Sequence, residues 1–262
     1  MVVIINADDF GINEQINRAI IQSFERGLCS STTLMANMPG FEEACELSHE
    51  NKLLNHIGMH LVLTEGYPLT EKIKYFHKFC DKEGRFCLSR TRPIFTLEAS
   101  EKQAVAEEIR AQIRRCRVYG IPITHIDSHH HIHTEWAIAT LLIHIAREEH
   151  IPYIRISRNC GPNLDFPKRL YKYILNHRLR LAGFARTQYF GSVDDYLFLK
   201  RQVSSSNAIK SFEVMIHPRL NDKQVLVDGT NGKSLEEVIK GIDSYEDAIS
   251  FSGIKYGMSH SW

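Results

Sequence analysis

A chain of 262 residues, 43% of them hydrophobic, can bury roughly 70–75% of the surface its extended form exposes, and one α/β domain over residues 1–262 accommodates it. A formal charge of +1, with acids and bases interspersed, removes the electrostatic case for a nucleic-acid or anionic-membrane partner and favours a small neutral substrate. No stretch reaches the roughly 18 uninterrupted apolar residues of a membrane span, the amino terminus has no basic leader, and the cysteines contain no C-x-x-C pair, so the expectation is a cytoplasmic protein with reduced thiols.

Residues 2–7 predict a first strand, with Asp8 and Asp9 immediately after it. Asn13 then caps a helix whose apolar face is Ile16, Ile20 and Phe24 and whose stop is Gly27. Residues 32–36 and 56–61 predict the next two strands, the latter carrying His60 near its end. Residues 64–97 break the rhythm as a long insertion rich in Lys, Phe and Tyr, read as a lid or subunit contact whose aromatics mostly pack it onto the domain. Cys80 and Cys87 flank a loop in it and are expected to be exposed. Val105, Ile109, Ile113 and Cys116 form a helical stripe ending at Gly120, and residues 122–127 predict a strand that runs into His125-Ile126-Asp127-Ser128-His129-His130-His131-Ile132-His133. Thr134 opens a helix with Trp136, Thr140, Ile143 and Ala146 on its apolar side. Strands follow at 153–156, 185–190 and 212–217, and a weak one at 254–258, preceded by a helical stripe of Leu235, Val238, Ile242, Tyr245 and Ile249. The alternation predicts a TIM-barrel-like (β/α) barrel, regular or distorted.

Five imidazoles and a carboxylate within nine residues are costly to bury, and a solvated histidine tract is the bland alternative. The strand leading into the cluster favours an ordered site, because an ordered element can aim a ligand. At the carboxyl ends of the predicted strands stand Asp8 and Asp9, Asn37, His60, Asp127 with His129, Arg155 and His217. In parallel barrels that face builds the active site. An isolated acid pair would merely cap the next helix, and a lone histidine such as His60 is more often a hydrogen-bonded core residue. Taken together, one carboxylate and two neutral imidazoles make a three-ligand set with positions left for water and substrate, as a catalytic cation requires.

The segments Ile5-Asn6-Ala7-Asp8-Asp9-Phe10-Gly11, Ser31-Thr32-Thr33, Gly58-Met59-His60-Leu61, residues 124–133 and Glu213-Val214-Met215-Ile216-His217-Pro218, in that order, closely resemble the YdjC-like carbohydrate deacetylases, which include the chitooligosaccharide deacetylases. The resemblance implies a TIM-barrel-like fold and a hydrolase that removes N-acetyl groups from acetylated mono- or oligosaccharides, releasing acetate. It also implies a divalent metal, given as magnesium, and a homodimer. Carried onto this chain, it makes His60 and His129 metal ligands, with the Asp8-Asp9 pair supplying the third ligand and the base. The order in the more distant polysaccharide deacetylases assigns Asp9 to the metal and Asp8 to the water, the reverse being the alternative. His217 suits the general acid, while His125, Asp127 and Arg155 suit second-layer or substrate-orienting roles. The donor chemistry itself favours zinc, manganese or cobalt over magnesium. Two other readings compete: a barrel phosphoesterase or amidohydrolase using His131 and His133 as an H-x-H pair, and a non-catalytic metal-binding protein.

Overall fold

The computed structural model describes residues 1–89, 93–162, 165–203 and 209–254. Its elements are β1 (Val2–Phe10), α1 (Glu14–Glu25), β2 (Ser31–Leu34), α2 (Phe41–Glu50), β3 (Ile57–Leu61), α3 (Ala99–Val118), β4 (Ile126–Ser128), α4 (Trp136–Glu148), α5 (Phe166–Leu181), β5 (Tyr189–Gly191), α6 (Val193–Gln202), β6 (Ser211–Ile216), β7 (Pro218–Leu220), β8 (Leu226–Asp228) and α7 (Leu235–Lys240). Six strands pair in the order β4-β3-β2-β1-β6-β5, all parallel, with helices packed around them. In place of the predicted eight-strand ring, the described residues form this sheet and two single parallel bridges, Ile126 to Ile154 and Tyr153 to Ala185; the strand expected at 153–156 gives only these bridges, and the one expected at 185–190 gives a bridge at Ala185 and then β5. Of the weak strand at 254–258, Ile254 lies in a bend and the rest falls outside the described residues. β7 and β8 form an antiparallel hairpin that the sequence pattern did not announce. None of the described helices is long and apolar enough to cross a membrane.

The helix signals account for α1 and α3. Asn13 accepts from the Ile16 amide at 3.0 Å, and Gly27 and Gly120 take the left-handed conformation just beyond the two helices. Val105, Ile109, Ile113 and Cys116 are all at most 1% exposed, and each of the three aliphatic side chains contributes roughly 1.5–3 kcal/mol of hydrophobic stabilisation. The apolar phase of α4 differs from expectation. Ile143 and Ala146 are buried as expected, but so are Ile138, Leu142 and Ile145, and Thr140 faces solvent, because a helix apolar on most sides leaves its phase undetermined by spacing. The stripe from Leu235 to Ile249 is not one helix: α7 stops at Lys240, before Gly241, and Ser244 sits in the left-handed region.

The insertion is tied down by a carboxylate the sequence reading passed over. Glu108, fully buried on α3, accepts from the Leu69 and Thr70 amides at 3.0 and 2.9 Å and from the Thr70 hydroxyl at 2.8 Å. Ile73, Phe79 and Phe86 are buried beneath it, Phe76 is partly so, and Tyr67 and Tyr75 are exposed. Cys80, expected at the surface, is 1% exposed, while Cys87 is exposed as anticipated.

Strand register is what assembles the site. Ala7 pairs with Ile216, which sets Asp8 beside His217, and His60 pairs with Asp127, with His129 just past the end of β4. The fit is tight at Gly58, where a Cβ would lie 2.5 Å from the His125 ring. Gly58→Ala is expected to cost about 1–3 kcal/mol through overpacking. A shift of the urea midpoint at unchanged m-value checks it, and an unshifted midpoint contradicts the packing.

Candidate metal centre

Asp8 and Asp9 are adjacent in β1, so a regular strand would send them to opposite faces. The pairing of β1 with β2 shifts between Ala7 and Phe10, and Asp9 takes φ 72°, a left-handed conformation that Asp tolerates better than most residues. Both carboxylates therefore line one cleft of about 350 Å³, together with His60, His129 and His217. Holding a non-glycine residue there costs about 1–3 kcal/mol, a strain that clusters at functional sites.

The two acids have different partners. Asp9 Oδ1 lies 2.9 Å from His129 Nδ1 and 3.3 Å from His60 Nε2. Donors bound about 2.1 Å from a common ion at tetrahedral to octahedral angles lie roughly 3.0–3.4 Å apart, so the two contacts of Asp9 are close to ligand spacing, and the three groups together lie within 4.8 Å of one another. Asp8 is gripped bidentately by Arg155, at 2.7 and 2.8 Å, and also accepts from Asn6 Nδ2 at 2.8 Å. Burial opposes its ionisation, but the Arg155 guanidinium holds its carboxyl well below the usual carboxylate range. Burial likewise opposes a charge on Asp9, and its bonds to His129 and His60 hold it lower still.

Asp127 completes a carboxylate–histidine pair. Its Oδ1 lies 2.7 Å from His60 Nδ1, which assigns the ring proton to Nδ1 and turns Nε2 toward Asp9, as second-layer carboxylates do at metal sites. Burial alone would suppress the His60 charge, yet the Asp127 carboxylate and its hydrogen bond push its pKa to about 10 in the metal-free protein. A cation bound at Nε2 must therefore displace a proton. His125 plays a neutral part: burial and Arg155 press its pKa well down, it stacks on Phe251 at 3.8 Å, and it reaches Asn6 Oδ1 at 3.2 Å, which orients the amide that donates to Asp8. His217 is half-buried on the cleft wall, its Nδ1 3.2 Å from the Thr230 hydroxyl.

The clustered histidines fan apart. His130 and His131 both take left-handed φ, at 50° and 54°, so His129 turns inward to Asp9, His130 meets the Thr64 hydroxyl at 3.0 Å and His131 faces the Phe190 ring. His133 Nδ1 contacts the Ser128 hydroxyl. Among the described residues, three trios each bring their donor atoms within 4.8 Å of one another: Asp9-His60-His129, Glu65-His129-His130 and Asp8-His60-Asp127. In the last, Arg155 already pairs with both carboxylates. His131 and His133 belong to none of them, and their rings meet edge-on with centroids 6.3 Å apart.

Three further contributors were not singled out from sequence. Glu65, in the insertion, lies 3.0 Å from His129 Nε2; Thr33 donates to Asp127 Oδ2 at 3.0 Å; Glu213 accepts from Arg155 Nε at 2.5 Å. Burial raises the Glu213 carboxyl to about 7, against the pull of Arg155. A carboxyl raised in the folded state favours folding while protonated and loses that advantage as pH climbs from its ordinary value of 4.5 through 7. Glu213→Gln should therefore gain on the wild type across that interval. Chemical denaturation of chelator-treated protein at pH 4.5 and 8 checks this, and a difference that stays constant or moves the other way contradicts it.

The molecule is thus an α/β protein with a candidate metal centre at the carboxyl ends of a parallel sheet. The family model described as YdjC-like protein matches residues 2–247, and the chain belongs to that family. It is similar to a carbohydrate deacetylase of Brevibacillus brevis, 32% identical over 246 residues that cover 94% of this chain and 92% of the relative. A carbohydrate deacetylase of Vibrio parahaemolyticus is 38% identical, covering 87% and 82%. A chitooligosaccharide deacetylase of Yersinia pestis is 33% identical, covering 97% and 96%. A crystal structure of an Enterococcus faecalis protein named for cellobiose-phosphate cleavage superposes with a TM-score of 0.70 at 22% identity, covering 97% and 98%, a likeness of fold.

Proposed function

We propose that this chain is a divalent-metal-dependent carbohydrate deacetylase that hydrolyses the acetamide of an N-acetylated mono- or oligosaccharide of the chitooligosaccharide type, giving acetate and a free amine. The observation that carries the reading is the division of labour at the acid pair: Asp9 faces two imidazoles at ligand spacing, while Asp8 is held ionised beside them by Arg155. The names of the family relatives support the substrate class. We read the sheet and its two bridges as a distorted TIM-barrel-like domain, and the cytoplasmic homodimer rests on composition and family resemblance.

Asp9, His60 and His129 would hold the cation. When bound it would polarise the acetamide carbonyl and acidify water at neutral pH. Asp8 takes the proton from the attacking water as oxygen bonds to the carbonyl carbon. Its pairing with Arg155 keeps it ionised, and so available as a base, at the expense of basicity. His217, on the wall of the same cleft, supplies a proton to the amine nitrogen as the C–N bond breaks. His125 and Asn6 fix the Asp8 carboxylate, and Asp127 fixes the His60 tautomer. Two imidazoles and one carboxylate suit zinc or manganese at least as well as the magnesium of the resemblance.

His60→Ala is expected to abolish acetate release from N-acetylated chitooligosaccharides and to reduce bound metal below one per chain. Acetate assay and elemental analysis of the same preparation test this, and full turnover by the variant rules out the site. The phosphoesterase reading is disfavoured because His131 and His133 gather no third donor among the described residues. A substrate panel with phosphate esters beside acetylated sugars separates the two.

A further inference from the structure

We propose that the chain carries a second ligand site, for a phosphate-class anion, in the cleft between α5 and the segment leading into β5. This site is independent of the deacetylase reading. The cleft encloses about 280 Å³, is lined by Arg169, Lys172, His177, Arg180 and Arg186 with no carboxylate among its lining residues, and shares no lining residue with the Asp9 cleft.

The charge placement is unusual for this molecule. The chain as a whole carries +1, yet α5 alone has five Lys and Arg and no acid. Three arginines outside α5 are matched by acids, Arg110 by Glu148, Arg115 by Glu42 and Arg117 by Glu149. Among the described residues, Arg180 and Arg186 have no carboxylate partner. Arg186 is half-buried, and its burial together with the nearby Arg180 guanidinium pulls its pKa down. Like charges converging in a concave, partly desolvated pocket repel each other until an anion joins them.

The walls are fixed in advance. Asn176 bonds both the amide and the carbonyl of Ser157, at 2.8 and 3.0 Å, and Asn159 does the same for the Phe190 amide and the Gln188 carbonyl, at 3.1 and 2.9 Å. Both amides are thereby spent on the scaffold, which leaves ligand recognition to the cations. Each planar guanidinium fork can meet two oxygens of a phosphate at once, which a spherical halide does not offer. The volume exceeds that of one phosphate ion and leaves room for a small esterified group.

Isothermal titration of chelator-treated protein, at constant ionic strength against chloride, tests the proposal with inorganic phosphate and glycerol 3-phosphate as probes. The expected result is one saturable site per chain, an affinity at least tenfold weaker in Arg180→Gln/Arg186→Gln, and unchanged affinity in His129→Ala, with far-UV circular dichroism showing both variants folded. Tighter binding of the ester identifies a phosphorylated small molecule as the ligand, and tighter binding of inorganic phosphate identifies the free ion. Absence of saturable binding, equal affinity in the arginine variant, or loss of binding in His129→Ala would overturn it. So would binding that chloride competes away at equal concentration, which is an adventitious ion only.

Discussion

Asp8→Asn is expected to lower acetate release by about 10²–10⁴-fold, the usual contribution of a general base, while the protein still takes up one divalent cation per chain. Asparagine keeps the shape of the side chain and one carbonyl acceptor for Arg155, so the clamp of 2.7 and 2.8 Å contacts is weakened rather than emptied. What disappears is the charge that receives a proton. Asp9→Asn should do the opposite, losing the metal first and activity with it, because Asp9 Oδ1 makes both imidazole contacts. Measuring metal content and turnover on both variants decides the order of the pair. A metal-free Asp8→Asn beside a metal-loaded Asp9→Asn would reverse the assignment.

Arg155→Met should be the most destabilising single change in the molecule. Arg155 is 1% exposed and bonds three buried carboxylates, those of Asp8, Asp127 and Glu213, besides lying over the Phe190 ring at 4.7 Å. Methionine approximates the volume of the stem but leaves three acids facing one another in low dielectric. Removing one partner from a buried ionic set costs about 3–5 kcal/mol, a large share of the roughly 5–15 kcal/mol that holds a domain together. The sign of its pH dependence follows from the same residues. Without the guanidinium the carboxyls rise toward neutrality, so the deficit against wild type shrinks as pH falls. Arg155→Lys, which keeps the charge and loses the fork, should fall between the two. Equilibrium denaturation at pH 5 and 8 checks the series, and a deficit that grows toward acid contradicts the electrostatic explanation.

The residues that sequence alone brought forward share one property: each stands at or near the carboxyl end of an expected strand, where parallel topology converts distance along the chain into proximity. Asp8, Asp9, His60, Asp127, His129, Arg155 and His217 were legible on that ground and through the family motifs. Glu65 was not, because it lies half exposed in an insertion without periodicity. Glu213 was in view as a letter of a motif, but a buried acid reads as a partner of Arg155 only once β6 is aligned beside β1. The shared orientation of Asp8 and Asp9 depends on a strand irregularity, and the fanning of His129, His130 and His131 depends on two left-handed residues. Alternation and composition carry no signal for either. The strands expected at 153–156 and from 185 have the right composition yet form only single bridges before β5, since propensity does not fix pairing length.

Anomalous diffraction from crystals grown with manganese or zinc tests the central claim most directly. The account predicts one strong peak within bonding distance of Asp9 Oδ1, His60 Nε2 and His129, with the Asp8 carboxylate still on Arg155. A peak seated on His131 and His133, or an active crystal form with no peak in this cleft, would contradict it.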